Sequence, residues 1–170
     1  MPWNRLRTFG PLDTARWDPH PLPQGDAAPL GSAYLGEDIG TCLAEAFQEE
    51  RFVDVDAGDP YATGFSTVMD LQLADLTGEW ILSAGASAKT PAGDRNVTRQ
   101  WARAMAVAWP DLDGLIAPSA MHPGRRVIAL WTDRGFPDRP EISVPLKNPA
   151  VVEDIMVIAD RIGYRSNIIV

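Results

Sequence analysis

Cysteine and long apolar runs are both scarce in this sequence. Cys42 is the only cysteine among 170 residues, so no disulfide can form within the chain, which fits a reducing compartment. Residues 1–14 lack the apolar core of a secretory signal peptide, and no stretch reaches the roughly 20 apolar residues that span a bilayer. We therefore expect a cytoplasmic protein without a membrane partner.

Positive charge is also in short supply. The chain has 15 lysine and arginine residues against 23 aspartate and glutamate residues, and its formal net charge is -8. Because an acidic protein repels the phosphate backbone of nucleic acids, we expect no direct nucleic-acid binding. A local basic pocket for a small phosphorylated ligand is still compatible with this charge.

Several familiar catalytic and cofactor-binding motifs are missing. No G-x-G-x-x-G follows a predicted strand, and Ala88-Lys89-Thr90 lacks the glycine that precedes the lysine of a P-loop. Ser119 does not stand in a G-x-S-x-G elbow. The two histidines, His20 and His122, show no metal-ligand spacing with Cys42. We therefore predict no metal site and expect both histidines on the surface.

Composition and periodicity predict one α+β domain over residues 1–170, with a mixed central sheet flanked by helices. Residues 1–32 are rich in proline and glycine and are predicted to be irregular. Helices are predicted to begin at Asp38, Thr98 and Asn148. Residues 84–98 read as a long loop, either a lid or a partner contact. The predicted strands are residues 33–36, 52–56, 64–68, 71–76, 114–117, 127–131 and 167–170.

The helix that follows Asp38 carries two acidic side chains beside an apolar stripe. Glu45 and Glu49 lie one turn apart, and helical periodicity puts Glu49 nearer the stripe. Both could be a solvated flank with Arg51 as counter-ion, or one could do chemistry. Periodicity does not choose between them. The predicted stripe comprises Ile39, Cys42, Leu43, Ala46 and Phe47, and the stripe of the helix after Thr98 comprises Trp101, Ala104, Met105, Ala108 and Trp109.

Several short segments, in their order and spacing, resemble the RES domain family over roughly residues 14–165. They are Arg16-Trp17-Asp18-Pro19, Tyr34-Leu35, Leu43-Ala44-Glu45, Trp101-Ala102-Arg103, Asp113-Gly114-Leu115, Pro118-Ser119 and residues 127–131. The family is named for an arginine, a glutamate and a serine, and is best known as toxins of toxin–antitoxin pairs. The resemblance implies cleavage of NAD+ at the nicotinamide–ribose bond, by glycohydrolase or phosphorylase chemistry. It also implies a fold similar to that of ADP-ribosyltransferases.

The resemblance also implies a role for each matching residue. Glu45 is the glutamate that stabilises positive charge on the ribose, and Arg16 is the arginine that pairs with the pyrophosphate. Tyr34 and Trp17 offer flat faces to the nicotinamide ring and the ribose. Ser119 positions Glu45 or a ribose hydroxyl. Taken singly, Trp17 could instead be a core residue, Tyr34 a half-buried strand residue and Ser119 a turn residue.

The implied reaction needs no prosthetic group: NAD+ is the substrate, and inorganic phosphate is a candidate co-substrate. The implied partner is a helix-turn-helix antitoxin that occludes the pocket, and the apolar helices would allow a homodimer. Two alternatives stay open, namely transfer of ADP-ribose to a protein or small molecule, and an interaction module without catalysis. The second draws on Leu30, which stands where many family members have an arginine.

Overall fold

A four-stranded sheet of mixed direction lies at the centre of the computed structural model, which describes residues 2–169. Its strand order is β3, β8, β7, β6, formed by Ala33–Gly36, Arg126–Leu130, Gly114–Pro118 and Leu73–Asp75. The β8 strand pairs antiparallel with both β3 and β7, whereas β6 runs parallel to β7. The predicted α+β class and mixed sheet are confirmed.

A close approach of two strands explains Gly114 at the start of β7. A Cβ atom built at this position would lie 2.1 Å from the carbonyl oxygen of Ala129 on β8. Only glycine therefore allows this pairing, which fixes the register of β7 against β8. Five residues later along the chain, the same strand delivers Ser119 to the edge of the sheet.

Three small two-stranded sheets surround the central one. Two of them are antiparallel, and the third, near the C-terminus, is parallel. They pair β1 (Phe9–Gly10) with β2 (Gly25–Asp26), β5 (Tyr61–Gly64) with β9 (Ile142–Pro145), and β4 (Phe52–Val53) with β10 (Arg165–Ser166).

The helices and the sheet enclose two apolar clusters. In the first cluster, helix α3 (Arg95–Ala108) packs Ala102 and Met105 against Leu115 and Ala117 of β7. In the second, helices α1 (Ile39–Ala46) and α4 (Val152–Arg161) bury Leu43 and Ile155 together. The helices are α1 (Ile39–Ala46), α2 (Trp80–Ser83), α3 (Arg95–Ala108) and α4 (Val152–Arg161), with a 3-10 turn at Thr90–Ala92. None of the helices in residues 2–169 is both long and apolar enough to cross a membrane.

The predicted stripe of α1 is only partly correct. Cys42 and Ala46 are exposed, because this side of the helix faces a cleft rather than the core. The helix also ends at Ala46, so Phe47 of the predicted stripe is its C-cap residue and Glu49 lies beyond the helix. The residues that α1 buries are Gly40, Thr41, Leu43 and Ala44.

The start and the buried face of α3 also differ from the prediction. The helix begins at Arg95, where the Asp94 side chain caps it by accepting from the Asn96 amide at 2.6 Å. Thr98 was the predicted cap but lies buried inside the helix, its hydroxyl donating to the Arg95 carbonyl at 3.1 Å. Ala104, Ala108 and Trp109 are exposed, since the buried face consists of Thr98, Arg99, Ala102 and Met105.

Several boundaries elsewhere also differ from the prediction. The strand predicted at residues 64–68 is Tyr61–Gly64, set by antiparallel pairing with β9, which the sequence analysis missed. Asn148 forms a turn by accepting from the Ala150 amide at 2.9 Å, so α4 begins only at Val152. The terminal strand is Arg165–Ser166 rather than residues 167–170, and position 170 lies outside the described residues. The predicted loop at residues 84–98 contains the 3-10 turn and the start of α3.

Candidate active site

One cleft gathers most of the predicted site residues. It has a volume of about 490 Å³ and lies between the N-terminal segment, β3, α1 and the first residue of α3. Arg16, Trp17, Tyr34 and Glu45 all line it. Ser119 joins them through a direct hydrogen bond to Glu45. Residues far apart in the sequence are therefore brought together at one place.

The Glu45 carboxylate is held by the turn that follows β7. Its Oε1 atom accepts from the Ser119 hydroxyl at 2.6 Å and from the Ala120 amide at 3.1 Å. The Ser119 oxygen in turn accepts from the amides of Met121 and His122, at 3.1 and 2.9 Å. Since the only hydroxyl proton of Ser119 goes to Glu45, this serine is arranged to orient the carboxylate rather than to attack a substrate.

A second set of bonds joins the same turn to the start of α1. Asp38 caps the helix by accepting from the Thr41 amide at 2.7 Å, as predicted, and it also accepts from the Thr41 hydroxyl at 2.9 Å. Because that hydroxyl has given its proton to Asp38, it accepts from Nδ1 of His122 at 3.0 Å. The helix that carries Glu45 and the turn that carries Ser119 are thus tied together at two points.

Both histidines were predicted to lie on the surface, and neither does. His122 is half-buried, because its ring reaches Thr41. His20 is fully buried, where Nδ1 bonds to the carboxylate of Asp18. A polar partner makes the burial favourable in both cases: Thr41 lies far from His122 in the sequence, whereas Asp18 is only two residues before His20. Within the described residues 2–169, no group of three or more histidine, cysteine, aspartate or glutamate side chains could hold a metal ion.

Arg16 lies half-buried beside Glu45, and its guanidinium donates to the carbonyl of Gly93. Burial lowers the pKa of Arg16 below its ordinary value, and the positive charge of Arg95 lowers it further. The negative charges of Glu45 and Asp94 act in the opposite direction. Arg16 is therefore a cation of the cleft that already has another cation close by.

A model of the RES domain matches residues 3–148, which is most of the 170-residue chain. The chain belongs to the RES domain family. The resemblance drawn from the short motifs is confirmed. No significant match exists among curated proteins or among solved structures, so the likeness of the RES fold to ADP-ribosyltransferases stays a prediction.

The two aromatic residues of the RES cleft differ sharply in exposure. The Tyr34 side chain as a whole is 43% exposed, but the surroundings of its hydroxyl are buried, and this burial raises the pKa to about 12. Trp17 is only 1% exposed and packs in the first apolar cluster. Its packing is that of a core residue beneath the cleft. A stacking role for Trp17 stays a prediction, and only a small part of its indole is available for it.

Two cleft arginines were missed by the sequence analysis. Arg7 comes from the irregular N-terminal segment and pairs with the buried Asp18 at 2.8 Å. Arg95 is the first residue of α3 and donates to Gln48 at 3.1 Å and to Glu49 at 3.2 Å. Arg95 could have been noticed only by reading Asp94 as the cap of α3. Nothing local to the sequence indicates Arg7.

Two further residues of this RES chain bear on the cleft, Leu30 and Cys42. Leu30, which replaces an arginine of many members, packs against the first apolar cluster and gives the cleft no charge. Cys42 lies one turn before Glu45 and lines the cleft. Burial raises the pKa of its thiol, and the nearby charges of Asp38 and Glu45 add to the effect.

Proposed function

We propose that the protein is an enzyme that degrades NAD+ by cleaving the bond between nicotinamide and ribose. The observation that supports this most is the fixed carboxylate of Glu45 in a cleft that also contains Arg16 and Tyr34. The cleft volume of about 490 Å³ lies within the roughly 300–1,000 Å³ range of small-molecule sites.

The residue types suit the electrostatics of this reaction. As the bond to nicotinamide breaks, positive charge develops on the ribose in a transition state that resembles an oxocarbenium ion. A carboxylate held in place beforehand stabilises such charge without reorganising during the reaction. Glu45 takes this role, because Ser119 and Ala120 fix its position.

The leaving group makes a general acid unnecessary. Nicotinamide is cationic while it is bound to the ribose, and it departs as a neutral molecule when it takes the bonding electron pair. One carboxylate therefore suffices, whereas a glycosidase ordinarily uses two. Tyr34 stays neutral, with its pKa raised to about 12, so it adds no second negative charge and can offer its ring to the substrate.

Arg16 supplies the contact to the pyrophosphate of NAD+. Its bond to the neutral Gly93 carbonyl leaves further N–H donors of the guanidinium for a charge-assisted pair with phosphate oxygens. The oxygen of either water or inorganic phosphate would then form a bond to the C1 carbon of the ribose and release its proton to solvent. The protein would act as the toxin of a toxin–antitoxin pair, restrained by a helix-turn-helix protein that covers the cleft.

The experiment follows the fate of adenine-labelled NAD+ given to the purified protein, with and without inorganic phosphate. Free ADP-ribose indicates hydrolysis, and its phosphorylated form, produced only with phosphate, indicates phosphorolysis. Label attached to protein or to another small molecule would replace the proposal with ADP-ribose transfer. Intact NAD+ in all samples of folded, partner-free protein would favour an interaction module without catalysis.

A matched pair of variants assigns the reaction to the cleft. Glu45→Gln keeps the shape of the side chain and removes its charge. Glu50→Gln makes the same change at an exposed position on the segment just after α1. Product formation is expected to be lost in the first variant and kept in the second. Loss in both, or in neither, would contradict the role of Glu45.

A further inference from the structure

Two arginine side chains from different parts of the fold converge on one end of the cleft. Arg16 comes from the N-terminal segment and Arg95 from the first turn of α3, and both line the cleft. Arg16 donates to the carbonyl of Gly93, which places it beside the segment that carries Arg95, and the charge of Arg95 lowers the pKa of Arg16. Two like charges held together in a partly buried place are unfavourable unless an anion lies between them.

The protein itself neutralises this pair only in part: the charges of Glu45 and Asp94 act on Arg16, but neither carboxylate forms an ion pair with it within residues 2–169. Arg16 donates to a neutral carbonyl, that of Gly93. Arg95 donates to the neutral side chain of Gln48 and to Glu49, whose side chain is 69% exposed. Solvent screens such an exposed ion pair strongly, so Glu49 is a poor counter-ion.

Two other arginines of the same protein have a structural role, and their guanidinium groups are held by protein partners. Arg7 pairs at 2.8 Å with Asp18, which is fully buried. Arg99 is buried and donates to the carbonyls of Leu12 and Asp13, at 3.1 and 3.0 Å, and so holds the N-terminal segment on α3. In the part of the chain that the structure describes, residues 2–169, Arg16 and Arg95 have no comparable buried carboxylate or set of carbonyls, which leaves N–H donors for a ligand.

The position of Arg95 adds to the positive potential. It is the first residue of a helix of 14 residues, where the helix dipole favours an anion. The carboxylate of Asp94 is engaged in capping the helix through the Asn96 amide. Glu45, on α1, lies close enough to influence Arg16 electrostatically, so the arginine pair is adjacent to the carboxylate and not remote from it.

We propose that Arg95 and Arg16 together bind a diphosphate group, and that Arg95 makes the cleft selective for dinucleotides over substrates without phosphate. The identity of the substrate rests on the proposed function, in which the diphosphate follows the ribose whose bond is cleaved. A pair of guanidinium groups can offer parallel N–H bonds to the two phosphates, whereas Arg16 alone can serve only part of them.

Binding is tested without turnover, by titration calorimetry with ADP-ribose and with ADP. Arg95→Ala is expected to bind each ligand about 10- to 100-fold more weakly than the wild type, as for loss of hydrogen bonds to a charged group. Arg95→Lys is expected to lie between the two, because it keeps the charge and loses the fork. Arg139→Ala, which removes an exposed arginine outside the cleft, is the control.

A further variant separates ligand binding from a merely structural bridge between α3 and α1. Glu49→Gln removes the carboxylate that competes for Arg95, so ADP-ribose is expected to bind as tightly as to the wild type or more tightly. If Arg95 served only to hold Glu49, both Arg95→Ala and Glu49→Gln would weaken binding. That result, or equal binding by wild type and Arg95→Ala, would overturn the proposal.

Kinetics distinguish this proposal from the proposed function. With NAD+ as substrate, Arg95→Ala is expected to raise KM about 10-fold or more, while kcat/KM for nicotinamide riboside, which has no phosphate, stays unchanged. If Arg95→Ala cleaves NAD+ with the wild-type KM, the role of Arg95 is refuted and the proposed reaction is not. Binding of ADP-ribose that depends on Arg95, without cleavage of NAD+ by the wild type, would refute the proposed reaction alone.

Discussion

Glu45 and Glu49 are four residues apart and both line the cleft, yet only Glu45 lies on α1 and their surroundings have little in common. Glu45 is anchored to Ser119 and Ala120, which come from a turn more than seventy residues away in sequence. Glu49 is 69% exposed, and among the described residues 2–169 its ion-pair partner is Arg95. The difference shows that the surroundings of each carboxylate are set by partners from elsewhere in the fold, because sequence position alone does not distinguish the two.

The largest expected effect is a difference in cell growth between a variant of Glu45 and a variant of Glu49. Production of the wild-type protein without a partner is expected to deplete NAD+ and stop growth, because a fixed Glu45 supports cleavage. Glu45→Gln is expected to allow growth and normal NAD+ levels, whereas Glu49→Gln still arrests growth. Cellular NAD+ and culture density are the measurements, with protein levels checked in parallel. Growth arrest by folded Glu45→Gln would remove Glu45 from the mechanism.

The next largest effect is expected from a substitution that weakens the anchoring of Glu45 and leaves its charge in place. Ser119→Ala removes the 2.6 Å hydrogen bond and leaves only the Ala120 amide. We expect kcat for NAD+ to fall about 10- to 100-fold, the range for losing a hydrogen bond to a charged group, with little change in KM. Ser119→Thr, which keeps a hydroxyl, is expected to recover part of the loss. A change in KM alone would assign Ser119 to substrate binding.

A smaller loss of activity is expected when Cys42, which lies in the cleft next to Glu45, is chemically labelled. Cys42 lies one turn before Glu45 and lines the cleft, so its reaction with N-ethylmaleimide is expected to lower activity about 10-fold, of the order of losing one substrate contact. Because its pKa is raised, the thiolate fraction is small near neutral pH, and labelling is expected to quicken as pH rises. Mass spectrometry measures the labelling, and Cys42→Ala serves as the insensitive control. Fully labelled protein with unchanged activity would place the substrate elsewhere.

The smallest expected effect concerns the start of α1, the helix that carries Glu45. Asp38→Ala is expected to lower the free energy of unfolding by about 1 kcal/mol through loss of the N-cap. Burial alone would raise the pKa of Asp38, but hydrogen bonds from the Thr41 amide and hydroxyl outweigh it and lower the pKa. The cap therefore stabilises above the unfolded carboxyl pKa of about 3.9, and its contribution is lost as pH falls through the lower folded value. Denaturant unfolding at neutral and acidic pH measures this, and a difference that persists at the acidic end would contradict it.

Local patterns were sufficient for much of the fold. The apolar runs of β3, β7 and β8 stood out in the sequence, and so did Asp38 as a cap, because each depends on neighbours in the chain. Thr98 misled the placement of α3, since Asp94 and Thr98 are both good capping residues and only packing buries one of them. Alanine tolerates either environment, which explains why Ala46 and Ala104 were assigned to buried stripes.

The site was less accessible to local reasoning. Arg16, Tyr34, Glu45 and Ser119 were found through the resemblance to a family, and periodicity alone did not choose between Glu45 and Glu49. Arg95 was missed, because its importance comes from Arg16, which lies far away in sequence. The burial of His20 likewise depends on Asp18 and on a close fit against Gly10, where a Cβ would lie 2.6 Å from the imidazole. Such contacts exist only after folding.

The most direct test is the rate of NAD+ loss, followed by mass-resolved chromatography, for purified wild type, Glu45→Gln and Glu50→Gln at saturating NAD+. The account predicts cleavage by the wild type and by Glu50→Gln, and a kcat about 100- to 1,000-fold lower for Glu45→Gln, comparable to losing a preorganised electrostatic group. Equal rates for wild type and Glu45→Gln, with both proteins folded, would contradict the claim that this anchored carboxylate carries the chemistry.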